Sequence, residues 1–351
     1  MKPGGVGWRW CWWFQTQPPA VMGTSLRLGL HSHGGRTETT AFIDRPFTPS
    51  SSGAYFLAGA GKRGRFAMSV YIASVMSVFK PLLYYGMRDA RVDGLPILLD
   101  LLDRRPDPKR GLITISNHIS TLDDPMVWGM MPFRTYLDTT KARWTLGAAD
   151  ILFTNRWIAP LFQNGQVIKT VRGDGIYQPA MDLALEKLNH AQWLHVFPEG
   201  RVNQSALDPS QPAQELLRFK WGISRLVLES MHEPIIVPIW LKGFDHVMPE
   251  GRRAPWKMMP RLNQRLAVTI SGPINNPSAS HSSDDAMSQN QLHIRDFRTR
   301  YRALLSRPDS SSGPVDYHEY TCLKDHAEAK QIRMDLASFL RSRLLASRPP
   351  S

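Results

Sequence analysis

The sequence predicts an α/β fold built on an open sheet. Three short apolar runs, Gly111–Ile115, Trp193–Phe197 and Pro234–Leu241, read as buried strands. Segments with helical spacing lie between them, and such alternation favours a sheet covered by helices. The first run leads straight into Ser116–Pro125, where Asp124 is a natural N-cap and Pro125 takes the first helical position. His118 and Asp123 therefore lie where a strand gives way to a helix. On one continuous helix, five positions are about 500° of rotation, or roughly 140° apart, so the two side chains would diverge. A loop at the junction removes that obstacle.

Composition narrows the class. The chain has 351 residues, 42% of them hydrophobic, enough for one large or two small cores. With 43 Lys and Arg against 30 Asp and Glu, its formal net charge is +13. Such a surface suits anionic lipid or nucleic acid. Zinc spacings, Walker loops and RNA-binding signatures are absent, which disfavours nucleic acid. Cys11 and Cys322 are too few and too far apart for a disulfide scaffold or a metal cluster. Several of the 11 tryptophans lie beside basic residues, as at lipid headgroup level.

Residues 1–60 carry Gly, Ser, Thr and Pro clusters and only two acids, Glu38 and Asp44. They read as a disordered or targeting extension. The Trp8–Phe14 cluster is too short to span a bilayer. Residues 61–90 follow as a membrane-anchoring helix. Their apolar run, Phe66–Phe79, is about 14 residues, short of the ~20 of a spanning helix. Lys80 and Pro81 interrupt it and Tyr84 and Tyr85 close it. We read it as monotopic, buried in one leaflet; a tilted span through Tyr85 and a helix of a soluble core remain alternatives.

Residues 91–274 read as the catalytic domain. Leu95–Leu102 is helical. The helix after Pro125 is apolar all round, hence buried or facing lipid. Arg134–Leu137 and Ala142–Leu146 read as short strands. Ile151–Phe153 and Trp157–Phe162 form an apolar–aromatic patch, either a membrane dip or core. Gly165–Ile168 is a strand whose end carries Arg172, with Gly173 beside it; Pro179 opens a helix. The strand Trp193–Phe197 runs into Pro198–Asn203, where Gly200 permits a tight turn and Glu199 and Arg201 project near the sheet end, the usual ligand position in open α/β sheets. Gln204–Gln214 is a polar insertion, and Ile223–Ser230 a helix. Pro238 inside its strand points to an edge or a sheet end. Leu266–Ile274 is the last strand. Residues 275–351 are a linker and C-terminal helices, one marked by Ile294, Phe297, Tyr301 and Leu304, the other by Ile332, Leu336 and Leu344. Arg333, Arg341 and Arg343 leave the second helix open to protein or anionic lipid.

His118 and Asp123 are the candidate catalytic pair. A carboxylate on one ring nitrogen fixes the tautomer and stabilises the imidazolium formed when the other nitrogen takes a proton. With no G-x-S-x-G elbow and both cysteines remote, that proton comes from a substrate hydroxyl more readily than from an enzyme nucleophile. A His-x4-Asp spacing alone arises by chance, and Arg172 or the Glu199–Arg201 turn alone reads equally well as solvated surface.

Four blocks occur in a fixed order: Asn117-His118-x4-Asp123, Arg172-Gly173, Phe197-Pro198-Glu199-Gly200 and Ile236-Val237-Pro238. Together they resemble the glycerophospholipid acyltransferase family, over roughly residues 66–274, with further blocks like those of its mitochondrial transacylases. The resemblance implies a central mixed, mostly parallel sheet flanked by helices. It implies that His118 is the general base and Asp123 its partner, and that Asn117, Arg172, Gly173, Glu199, Gly200 and Arg201 hold the acceptor's phosphate and glycerol. Arg201 stands directly after Gly200, where many members have Thr. The implied reaction moves an acyl chain from a phospholipid to a lysophospholipid without CoA, with phosphatidylcholine, monolysocardiolipin and cardiolipin as substrates or products. No cofactor, metal or nucleic acid is implied; the setting is a mitochondrial membrane, inner or outer, facing the intermembrane space. Three other readings stay open: an acyl-CoA-dependent acyltransferase, a lipase using water, and a non-catalytic membrane-binding protein.

Overall fold

The computed structural model describes residues 61–350 except 155, 157–158, 205–214, 254–255, 257–258, 276–283 and 306–316. The extension expected over residues 1–60 and nearly all of the Gln204–Gln214 insertion lie outside these, as do Trp157 and Ile158. Seven strands form one sheet in the order β1-β7-β6-β2-β5-β3-β4. In chain order they are β1 (Asp89–Asp93), β2 (Leu112–Ser116), β3 (Trp144–Ala148), β4 (Val167–Thr170), β5 (Trp193–Val196), β6 (Ile235–Lys242) and β7 (Arg265–Ile270). β6, β2, β5, β3 and β4 run parallel, while β7 is antiparallel to β6 and parallel to β1. The sheet is thus mixed and mostly parallel.

The helices are α1 (Gly61–Pro81), α2 (Leu95–Asp103), α3 (Asp123–Gly129), α4 (Phe133–Tyr136), α5 (Ala149–Leu152), α6 (Ala159–Asn164), α7 (Pro179–Asn189), α8 (Gly222–Glu229), α9 (Phe244–Val247), α10 (Asp284–Ala303) and α11 (Ala327–Ala346). Strand periodicity sends alternate residues to opposite faces. Ile113 and Ile115 of β2 face a core built with α7, α8, α10 and α11. Leu112 faces the second core, with α1, α2 and α3. Buried on both sides, β2 has no polar–apolar alternation, as expected for an interior parallel strand.

Three sequence expectations change. Arg134–Leu137 is not a strand: Phe133–Tyr136 is the short helix α4, started by Pro132 and held by the Tyr136 hydroxyl on the carbonyls of Trp128 and Met131. β6 is an interior strand, not an edge. Pro238 is tolerated there because the ladder with β7 ends at Ile239, opposite Ile270, and at Pro238 itself the next bond needs only its carbonyl, which accepts from Ser271 N. Arg333 does not face lipid. It is 1% exposed and donates to the Tyr301 hydroxyl. Tyr301 in turn donates to Glu229, which pairs with Arg225, so α11, α10 and α8 are joined through one buried polar chain. Ile332, Leu336, Leu340 and Leu344 fill the core beside it.

α1 buries Met68, Ile72 and Met76 against α3, α4 and α6 and exposes Phe66, Val70 and Val78. The helix does not stop at Pro81. A π-helical turn, Leu82–Gly86, continues it, so that Gly64–Gly86 is 23 residues long with mean hydropathy 1.6. By length and composition that run can cross a bilayer, one third of it being buried in the protein. Lys80, an interruption by sequence, donates to the carbonyls of Gly129 and Met131.

One polar chain is sunk in the sheet. The Trp193 indole donates to Thr114 Oγ1 at 3.0 Å, and Thr114 Oγ1 lies 2.8 Å from His195 Nδ1. His195 Nε2 lies 3.3 Å from Ser116 Oγ. Burial pushes the His195 imidazole down to about 3. The fold therefore holds it neutral, and protonation opposes folding. Above about pH 6.5 this group costs nothing; stability then falls as pH drops from there towards 3, by about 2 kcal/mol at pH 5. His195→Gln should flatten that loss. Thermal melts between pH 8 and 5 are expected to show wild type falling several degrees further than the variant; parallel curves would refute a neutral, buried imidazole.

Candidate active site

The site grows out of the carboxyl end of β2. The backbone ladder with β6 ends at Ser116, opposite Ile239. Asn117 extends it with its side chain: Nδ2 donates to Leu241 O at 2.9 Å and Oδ1 accepts from Leu241 N at 2.8 Å. An amide side chain thus replaces a peptide group. The main chain is then free to leave the sheet at His118.

His118 faces Asp123 across that loop, with Nδ1 2.9 Å from Asp123 Oδ2. A carboxylate only accepts, so Nδ1 carries the proton and Nε2 keeps its lone pair. The His118 side chain is 21% exposed, and Asp123 is 0% exposed. The same Asp123 Oδ2 accepts from the backbone N–H of Ile119 and Ser120, at 2.7 and 2.8 Å. Asp123 therefore closes the loop at the foot of α3, and Leu122, not Asp124, precedes the helix. Asp124 binds the Trp128 indole and Arg143 instead. Asp123 Oδ1 has no hydrogen-bond partner among the described residues. Burial pushes the Asp123 carboxyl up, and the His118 hydrogen bond opposes that shift. The bond to Asp123 thus fixes the tautomer and turns Nε2 away from the carboxylate.

The Phe197 ring lies against the imidazole, with centroids 4.2 Å apart and planes at 26°. The edge of His195 meets Phe197 at 4.5 Å. A π-face on an imidazole stabilises its charged form and fixes its plane. Phe197 is thus part of the site although no polar chemistry marks it in the sequence.

Glu199 is the second anchor. It is 1% exposed, and burial pushes its carboxyl up. Oε1 accepts from His118 N at 2.9 Å. Oε2 accepts from Asn203 Nδ2 at 2.9 Å and Leu217 N at 3.0 Å. Asn203 N returns a bond to His118 O at 2.6 Å. His118 is therefore pinned through both its backbone groups by the loop that follows β5. Gly200 turns that loop at φ +71°, with Lys220 packed where a Cβ would point. Gln204 is not insertion: it donates to Ile119 O and Met248 O, both at 2.9 Å.

The other expected ligands sit further out. Arg201 is exposed on the Glu199–Asn203 loop. Arg172 and Gly173 follow β4, three strands from β2, about 14 Å sideways at normal strand spacing. Arg172 lies 3.3 Å from Asp150, both exposed. Gly173 has φ +87° and open space at its Cβ position. Gln178, silent in the sequence, braces that loop with bonds to Val171 and Gly175. Among the described residues no three His, Cys, Asp or Glu side chains group as a metal site.

Comparison with known proteins identifies the family. The acyltransferase family model matches residues 99–242, which contain His118, Asp123 and Glu199. The chain is 44% identical over 191 residues to a Dictyostelium discoideum protein named Taffazin, covering 53% of this chain and 63% of that one. It is 42% identical over 181 residues to an Arabidopsis thaliana protein named N-acylphosphatidylethanolamine synthase, covering 50% and 60%. The chain thus spans less than two thirds of either relative. It is 30% identical over 296 residues to the Saccharomyces cerevisiae protein named Tafazzin, covering 74% of this chain and 72% of the relative. With a match that extends over most of the yeast protein and takes in the His118–Asp123 loop, this chain belongs to the tafazzin family of acyltransferases.

Proposed function

We propose that this protein transfers a fatty acyl chain from a phospholipid to a lysophospholipid, without CoA, at a mitochondrial membrane. The observation that carries the proposal is His118 Nδ1 at 2.9 Å from a fully buried Asp123, in a chain of the tafazzin family. His118 Nε2 takes the proton of the acceptor's free glycerol hydroxyl as its oxygen attacks the donor's ester carbonyl. The imidazolium, held by Asp123 and faced by Phe197, then returns the proton to the departing lysolipid oxygen. The enzyme supplies no covalent nucleophile. Cardiolipin remodelling, with monolysocardiolipin as acceptor and phosphatidylcholine as donor, suits the net charge of +13. Arg172, Gly173, Gly200 and Arg201 are assigned to the acceptor's phosphate and glycerol, which would lie across the carboxyl ends of β2, β5 and β3. Asn117 and Glu199 serve that site from behind, since their polar atoms already bind the protein's own backbone. The α1 run lies in the membrane interface as a monotopic anchor.

A second reading has its own support. The Arabidopsis relative's name specifies acylation of an amine, and the same base serves an ethanolamine nitrogen once that nitrogen is neutral.

Full-length protein should be given vesicles of labelled phosphatidylcholine with monolysocardiolipin or with phosphatidylethanolamine, with and without acyl-CoA. Transfer to monolysocardiolipin without CoA is expected. Strict dependence on acyl-CoA, or transfer only to the amine, would overturn the primary reading. His118→Ala and Asp123→Asn should each lower kcat by about 10²–10⁴-fold. Undiminished transfer in His118→Ala would remove it as the base. Glu199→Gln places an amide NH₂ against main-chain donors and should cost about 1–3 kcal/mol in stability. Its kcat should fall while KM for the lysolipid stays within about twofold; a rise in KM alone would assign Glu199 to substrate instead.

A further inference from the structure

The loop between β6 and β7 is left unused by the chemistry above, and it differs from its surroundings. Over Glu250–Arg265 the sequence has five cations, Arg252, Arg253, Lys257, Arg261 and Arg265, against one acid, Glu250. Its apolar side chains point outward: Trp256 is 63% exposed, Met259 52% and Leu262 55%. Nothing in the protein's own core requires them there. The base of the loop is nevertheless tied down. Its neck is closed by Arg261 N on Val247 O at 2.8 Å, and a bond from Asn263 N to Gly86 O at 2.7 Å ties it to the end of the π-helical turn. The Leu262 side chain packs beside Gly86. That contact brings the loop next to Tyr84 and Tyr85, which are strongly exposed themselves.

Topology puts the root of this surface at the same end of the sheet as His118. β6 and β2 are parallel, so the chain leaving β6 emerges on the same side of the sheet as His118. Gln204 joins the two directly, with bonds to Ile119 O beside His118 and to Met248 O at the root of the loop.

We propose that Arg252, Arg253, Trp256, Met259, Arg261 and Leu262, together with Tyr84 and Tyr85, form a second membrane contact that docks on an anionic bilayer and lays the His118 end of the sheet against the lipid surface. Aromatic and thioether side chains ringed by arginine have the composition of an interfacial segment. The surface charge is opposite to that of an anionic headgroup layer, and each cation near such a layer strengthens binding about fivefold. The patch also adjoins the end of the α1 run, through Asn263 N on Gly86 O and Leu262 beside Gly86. The proposal rests on the membrane-lipid reading of the function, and it adds where the bilayer meets the protein. One contact along α1 leaves the molecule free to roll about that helix; a second, off its axis, sets the tilt and holds the site at the headgroup layer.

The test uses the full chain. Wild type and Trp256→Phe are mixed with phosphatidylcholine vesicles, with or without cardiolipin, containing lipid brominated near the headgroup. The difference in quenching between the two proteins isolates Trp256. Quenching of that difference signal, stronger with cardiolipin, is expected; its absence from both vesicle types overturns the proposal. Trp256→Ser/Met259→Ser should keep its melting temperature, since both side chains are exposed, and should lose about tenfold or more in transfer between vesicle-borne lipids. Transfer among short-chain, monomerically dissolved substrates should stay within twofold. Equal losses on both substrate forms, or a changed oligomeric state with wild-type quenching and transfer, would make the patch something other than a lipid contact. Should wild type transfer no acyl chain at all, the functional reading fails and the quenching result still decides the contact.

Discussion

One carboxylate oxygen organises the end of the sheet. Asp123 Oδ2 takes three hydrogen bonds, from His118 Nδ1 and from the N–H groups of Ile119 and Ser120. Removing a carboxylate from water costs several kcal/mol unless donors surround it, and here they cluster on one oxygen while the other has none among the described residues. Burial accordingly pushes the Asp123 carboxyl up, and the bond from His118 opposes that shift. The tight loop, the foot of α3 and the orientation of the imidazole all follow from satisfying the same atom.

Around that atom, side chains stand in for backbone. Asn117 prolongs the β2–β6 ladder by one step after the strand has ended. Glu199 and Asn203 supply the partners that His118's own N–H and carbonyl lose on leaving the sheet. Buried main-chain groups without partners are costly, so a catalytic loop can abandon the sheet only where such replacements exist. Asn117 and Glu199 thus spend hydrogen bonds on the protein's own backbone, while the cations Arg172 and Arg201 are exposed.

The sequence conveys some of this well. His118 and Asp123 were legible because strand, loop and helix signals bracket them within ten residues, and the apolar faces of α7 and α11 because their spacing is regular. Asp124 reads as a cap only if its local neighbours are considered; Arg143, distant in the chain, claims it. Phe133–Tyr136 carries weak preferences that the Tyr136 hydroxyl overrides by anchoring on Trp128. Arg333 looks like a surface cation on a helical wheel, since nothing local announces that Tyr301 and Glu229 will meet it in the core. Glu199 was found, but its role as a strut depends on Leu217 and Asn203, which no spacing rule connects to it. Phe197 left no polar signal at all.

Glu199 also clasps the chain on either side of residues 205–214, through Asn203 before them and Leu217 after. The two stems are thereby spliced together at a point of fixed span. Chain added or removed between them changes loop closure entropy only slowly. A change of length between these stems, whether made by evolution or by a protein engineer inserting a tag, should therefore be tolerated better than one in the loop that carries His118.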